Sequence, residues 1–199
     1  MAAIKYRYLN LALVMSALFL AIVPRVGAAS AKEQLQGTID RVIEVLQTIR
    51  SPQDIAKNKK LLSEILVTRF DYEAMAQQSL GKRWGDLNGK KQEFVSVFAD
   101  FVEHTYMSTL GSYRGEKVIY DRDWVQGKLA QVDTRVMGGE GAPIKIQYKL
   151  NLTGEEWLVY DAVIDDVSVV QNYRSQFARI LRTASLEDLI QSLRAKASQ

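Results

Sequence analysis

Residues 143–164 read PIKIQYKLNLTGEEWLVYDAVI. Ile144, Ile146, Tyr148 and Leu150 alternate with Lys145, Gln147 and Lys149, the period of two that turns one side of a strand to the core and the other to water. Gly154-Glu155 is a turn signal, and the run from Trp157 to Ile164 after it is apolar on both faces. Such a strand is expected to be central or covered. Upstream, Leu129 to Met137 and Val118-Ile119-Tyr120 have the same β-branched and aromatic character, set apart by Gly127 and by Gly138-Gly139-Glu140-Gly141. The spacing predicts antiparallel strands joined by hairpins.

On either side of this block the period changes to that of helices. Leu35, Ile39, Val42, Ile43, Leu46 and Ile49 form one stripe of a helix over 32–50. Ser51-Pro52-Gln53-Asp54 opens a second helix, with Ile55, Leu62, Ile65 and Leu66 inward. Asp71 caps a third, which carries Tyr72, Met75 and Leu80 and closes at Gly81. Asn88 or Gly89 opens a long aromatic helix bearing Phe94, Phe98, Phe101, Val102, Tyr106 and Leu110, ending near Gly111. After the strands, Ser168-Val169-Val170-Gln171 has the pattern of a capping box, followed by inward Val169, Tyr173, Phe177, Ile180 and Leu181. Ser185 and Asp188 begin a last helix. Helices, then strands, then helices predict an α+β domain.

The first residues read differently. Lys5 and Arg7 precede the apolar run Leu11 to Val23, which is too short to span a bilayer, and small residues follow from Gly27 to Ala31. This is the order of a secretory signal peptide, with cleavage expected after Ala28, Ala29 or Ala31. Residues 1–29 are therefore assigned to the signal and 30–199 to one domain. Removing Lys5, Arg7 and Arg25 from the 26 basic residues leaves 23, which equals the 23 acidic ones. The pI near 9.0 is then partly a property of the targeting segment. With it goes the electrostatic case for nucleic-acid binding. Cysteine is absent, so no disulfide supports the fold.

Catalytic parts are few. His104 is the sole histidine, with Asp100 one helical turn before it, and the pair sits on the polar flank of the aromatic helix. Asp161, Asp165 and Asp166 do not follow calcium-loop spacing and read as turn and helix-start acids. No transition-metal ligand set, nucleophile elbow or phosphate loop is present, so neither a metal nor a cofactor is expected. What remains is a supply of large apolar side chains on helices facing a sheet. Periodicity alone does not separate a packed core from a lined cavity.

The residues Phe70-Asp71-Tyr72, Met75-Ala76, Leu80-Gly81, Trp84, Trp157 to Asp161 and Val167 to Phe177 resemble the MlaC, or toluene-tolerance, family of periplasmic phospholipid-binding proteins, in order over nearly the whole chain after the signal. Tyr72 and Asp166 stand where the family pattern has Phe and Gly. The resemblance implies a curved antiparallel sheet of the nuclear-transport-factor-like roll type, wrapped by helices and preceded by a helical part. It also implies a non-enzymatic phospholipid carrier, periplasmic, working between an outer-membrane lipoprotein–porin complex and an inner-membrane ABC transporter complex. The expected lipid lining is Met75, Leu80, Phe94, Phe98, Phe101, Val102, Tyr106, Ile144, Ile146, Tyr148, Val159, Tyr173 and Phe177. Arg174 is a candidate for a headgroup phosphate or for an ion pair with Asp165 or Asp166. The competing expectation is a small roll-fold isomerase or hydrolase using Asp100 and His104, or Asp161.

Overall fold

The computed structural model describes residues 29–110, 112–138 and 142–198; residues 1–28 of the expected signal 1–29, Gly111, residues 139–141 and Gln199 lie outside them. Local chemistry starts each helix where the sequence places it. Ser30 Oγ accepts from the Glu33 N–H and the Glu33 carboxylate accepts from the Ser30 N–H, opening α1 (Ala31–Thr48). Pro52 stands at the first position of α2 (Pro52–Val67). Asp71 Oδ1 accepts from the Ala74 N–H at 2.8 Å to begin α3 (Tyr72–Leu80), which ends at Gly81 with φ of 57°, a region that favours glycine. A 3₁₀ segment, Gly81–Leu87, leads to α4 (Lys91–Leu110).

Five strands follow in meander order: β1 (Lys117–Gln126), β2 (Leu129–Met137), β3 (Ile144–Thr153), β4 (Glu156–Ile164) and β5 (Val167–Ser168), all antiparallel. Helices α5 (Val169–Ile180) and α6 (Leu186–Ala197) close the chain. The fold is an open curved sheet with helices against it and a helical N-terminal part, as the sequence predicts. Register shifts at Tyr120/Arg122 and Lys149/Leu150 bend the strands, as bulges do.

Two details differ from the sequence reading. β1 runs six residues beyond Tyr120, because Asp121 and Arg122 are held by cross-strand ion pairs to Arg135 and Asp133, not by burial. At α5, Ser168 Oγ accepts from the Gln171 N–H at 3.1 Å, but the partner that fixes the cap is Asp161, not the Gln171 side chain. Asp165 and Asp166 have φ of 44° and 68°. Positive φ at both centres of this two-residue loop is the twist that suits a tight hairpin, and it puts Asp166 where glycine is the easier residue.

Two apolar layers share the concave face of the sheet. Ala31 and Leu35 of α1 pack on Ala130, Val132, Leu150, Trp157 and Val159. The α3–α6 helices pack on Ala162, with Ile146, Tyr148 and Ile164 at the margin. A third cluster joins α1 and α2 to Met107 of α4 through Val42, Leu46, Leu62 and Ile65.

Buried Arg69 ties these parts together. Its Nη1 donates to Trp157 O at 2.6 Å and Gln34 Oε1 at 2.7 Å, and its Nε donates to Thr38 Oγ1 at 3.1 Å. Gln34 Oε1 also accepts from the Trp157 N–H. Backbone bonds from Val159 N to Arg69 O (2.7 Å) and from Asp71 N to Val159 O (2.9 Å) lay the α2–α3 link beside β4 as a parallel bridge. Replacing Arg69 with Ala takes a donor from Trp157 O, Gln34 Oε1 and Thr38 Oγ1 together. Denaturant titration of Arg69→Ala is expected to show a loss of about 2–4 kcal/mol; a loss under about 0.5 kcal/mol would mean that the clamp does not hold α1 to the sheet.

Candidate functional site

Directly opposed residues of neighbouring strands share a face. The registers therefore set out rows on the concave side: Val118, Val136, Ile144; Tyr120, Thr134, Ile146, Ile164; Val132, Tyr148, Ala162; Ala130, Leu150, Val159. The last of these rows is fully buried under α1. Cover thins toward the first: Tyr120, Val118, Val136, Ile146 and Ile164 are half-buried, and Ile144 is 43% exposed. An apolar sheet face with incomplete cover thus lies between α1 and the C-terminal half of α4, where Ile39, Tyr106 and Leu110 are also half-buried.

Tyr148 joins the layers, packing against both the α3–α6 cluster and the α1 cluster. Desolvation alone pushes its phenol up to about 12, although the residue keeps accessible surface.

The thirteen residues expected from the sequence fall into distinct places. Met75, Leu80, Phe94, Phe98, Phe101, Val102, Tyr173 and Phe177 come together in one buried cluster, with Tyr106, Ile146 and Tyr148 packed against it. Within it the Phe101 and Tyr173 rings meet edge-on at 5.3 Å and those of Phe98 and Tyr173 at 5.8 Å. Tyr173 is pushed up to about 12, by burial first and then by the neighbouring Tyr106. Val159 belongs to the separate layer under α1, and Ile144 stands at the open end. Tyr120, Thr134, Val118 and Val136 share the same face and are not among the thirteen; the alternation of Val118 and Tyr120 is the signal that points to them.

The acids weighed for catalysis are placed as follows. Asp161 is buried and accepts from Ser168 Oγ at 2.8 Å, Lys149 Nζ at 3.2 Å and the Val170 N–H at 3.2 Å, which fastens the start of α5 to β4. Among the described residues no hydrogen bond or ion pair joins Asp100 to His104, and no cluster of metal-ligating side chains occurs. Asp100 instead borders a depression of about 180 Å³ with Lys59, Val97, Glu103 and Arg194, which contains none of the thirteen. Arg174 does not pair with Asp165 or Asp166; its guanidinium lies across Gly81, 3.1–3.2 Å from where a Cβ would stand.

The family model for the MlaC protein matches residues 36–195, from within α1 to within α6. The chain belongs to the MlaC family. A relative from Haemophilus influenzae, the "intermembrane phospholipid transport system binding protein MlaC", is 24% identical over 174 residues, covering 83% of this chain and 81% of that protein. The "toluene tolerance protein ttg2D" of Pseudomonas putida is 24% identical over 148 residues, 74% of this chain and 62% of that protein, so the match spans less than two thirds of its length. A solved structure from Ralstonia solanacearum, of a phospholipid-binding protein in complex with a phospholipid, superposes with a TM-score of 0.76 at 22% identity. It covers 86% of this chain and 98% of that one, so this MlaC family member has the same fold.

The tyrosines give this face a signature in alkali. Folding holds Tyr148 and Tyr173 neutral past their usual pKa of 10.0, so the stability they lend is complete below pH 10 and drains as pH rises through about 12. Chemical denaturation across that window is expected to show a falling midpoint, and a shallower fall in Tyr148→Phe. An identical slope in the variant would place Tyr148 in ordinary solvent.

Proposed function

We propose that this protein carries phospholipid through the periplasm, holding acyl chains in an apolar hollow on the concave face and shuttling them between outer and inner membranes without chemical change. The observation that carries the reading is the half-buried apolar face around Tyr120, Ile146 and Tyr148, bordered by α1 and α4. Supporting it are the phospholipid held by the Ralstonia protein and the transport role in the name of the Haemophilus relative. No described helix is long and apolar enough to cross a membrane, which fits export behind the segment 1–29 and operation of residues 30–199 off the bilayer.

The physical need for such a carrier is steep. Each exposed CH₂ costs about 0.8 kcal/mol, so a chain of roughly fourteen methylenes faces on the order of 11 kcal/mol to enter water. A dry protein face removes most of that cost. Transfer from bilayer to protein is then close to neutral, and direction comes from the donor and acceptor: on this reading an outer-membrane lipoprotein–porin complex and an inner-membrane ABC transporter complex. The task needs an apolar surface that can be vacated, and no nucleophile, acid–base pair, metal or cofactor.

Mass spectrometry of organic extracts is expected to find near-stoichiometric phospholipid on protein purified from the periplasm, and only a minor fraction of that amount on Ile146→Trp. Ile146 is half-buried, so an indole there fills space beside Tyr148 with less overpacking than at fully buried Val159. Lipid-free wild-type protein would remove the carrier reading. Equal lipid on a folded Ile146→Trp would move the hollow elsewhere.

A further inference from the structure

The concave rows are apolar apart from three hydroxyls and the carboxylate of Asp123, which stands opposite Val132 and pairs with Lys32 of α1; the hydroxyls are not equivalent. Thr134 Oγ1 is occupied, donating to Ile146 O at 3.1 Å. Tyr148 sits on the central strand β3. Tyr120, opposite Thr134 on the edge strand β1, has its Oη closed off from solvent and has no hydrogen-bond partner among the described residues. A buried hydroxyl left unpaired is costly and is rarely kept without a reason.

We infer that the Tyr120 hydroxyl donates to an ester carbonyl oxygen of the bound lipid, fixing how deep the glycerol ester linkage sits on the face. This rests on the carrier reading and deepens it. A neutral acceptor fits better than the phosphate. None of the residues in the concave rows is basic, and the charge that the Tyr120 phenol feels is the carboxylate of Asp40 on α1. Burial, then Asp40, then Tyr148 raise its pKa, so the group stays a protonated donor at neutral pH. An anionic phosphate placed there would meet like charge, and Lys32 of α1 is already paired with Asp123, whereas a carbonyl meets no such repulsion. The position also suits the chemistry of the ligand: acyl chains running from Tyr120 toward Ile146 and Tyr148 reach the buried helix cluster, while the headgroup side points to the less covered margin.

The test compares wild type with Tyr120→Phe, which keeps the ring. Each is titrated with a diester phosphatidylethanolamine and with its dialkyl ether analogue, which lacks both carbonyls. Wild type is expected to bind the diester about tenfold more tightly, the worth of one well-made hydrogen bond, and Tyr120→Phe to lose that preference by weakening on the diester alone. The melting temperature of the lipid-free variant is expected to match or exceed that of wild type, because an unpaired polar group has been removed. An equal loss on both lipids, or no loss on either, would overturn the assignment. Binding of neither lipid by wild type would instead sink the carrier reading itself.

Discussion

A guanidinium taken out of water is expensive unless nearly all of its donors are used, and the fold is arranged around meeting that condition at Arg69. Most of its partners are neutral: a backbone carbonyl on β4 and side chains of α1. Glu156, the one formal counter-charge, is 60% exposed and supplies little in high dielectric. The clamp is therefore chiefly a set of charge-assisted hydrogen bonds that lock α1, the α2–α3 link and β4 into one geometry. It fixes how far α1 reaches over the sheet. α1 covers the row from Ala130 to Val159 and Val132 of the next, the rows nearer Tyr120 keep only partial cover, and on the carrier reading that partial cover makes a binding face available.

The convex side shows the opposite solution. Lys149 with Asp161, Arg122 with Asp133 and Arg135 with Asp121 line it with paired charges, which solvate it and make its edge strand a poor template for another chain. Two sides of one sheet thus carry separate duties through the period of two in its strands. The bulge after Tyr120 reinforces the division, since it twists the outer half of β1 so that residues 121–126 leave the core entirely.

Periodicity makes the helices, their caps and the central strands legible, because those depend on neighbours in sequence. Ser30 and Glu33 satisfy each other, and Ile144 to Leu150 alternate whatever they pack against. The outer half of β1 is not legible, since Asp121-Arg122-Asp123 becomes a strand only when β2 offers the opposite charges. Arg69 is invisible for the same reason: between Thr68 and Phe70 it reads as a solvated cation, and only the approach of Gln34 and Trp157 from distant segments makes it a buried hub. For the candidate site, composition points only to a pool of large apolar side chains. It does not say that Phe94, Phe98 and Phe177 pack against one another among helices while Tyr120 and Tyr148 stand on the sheet, because that choice is made by register and by the length of α1.

This separation has a consequence for any carrier. A protein that delivers its ligand has to remain folded after delivery, so most of its stability has to come from its own packing. The aromatic cluster of α3–α6 and the layer under α1 provide it: Phe94, Phe98, Leu35, Leu150 and Val159 are at or near zero exposure within the protein's own packing. At the usual value of about 25 cal/mol per Å², burial in those layers persists whether or not an acyl chain lies against Ile146 and Tyr148. The face between them then needs only enough apolar character to compete with a bilayer. Additional closure would trap the lipid, and less would surrender it to neither membrane efficiently. On the proposed carrier reading, a half-buried face held open by two well-packed flanks is the arrangement in which binding and release differ little in free energy, and that near-balance leaves direction to donor and acceptor.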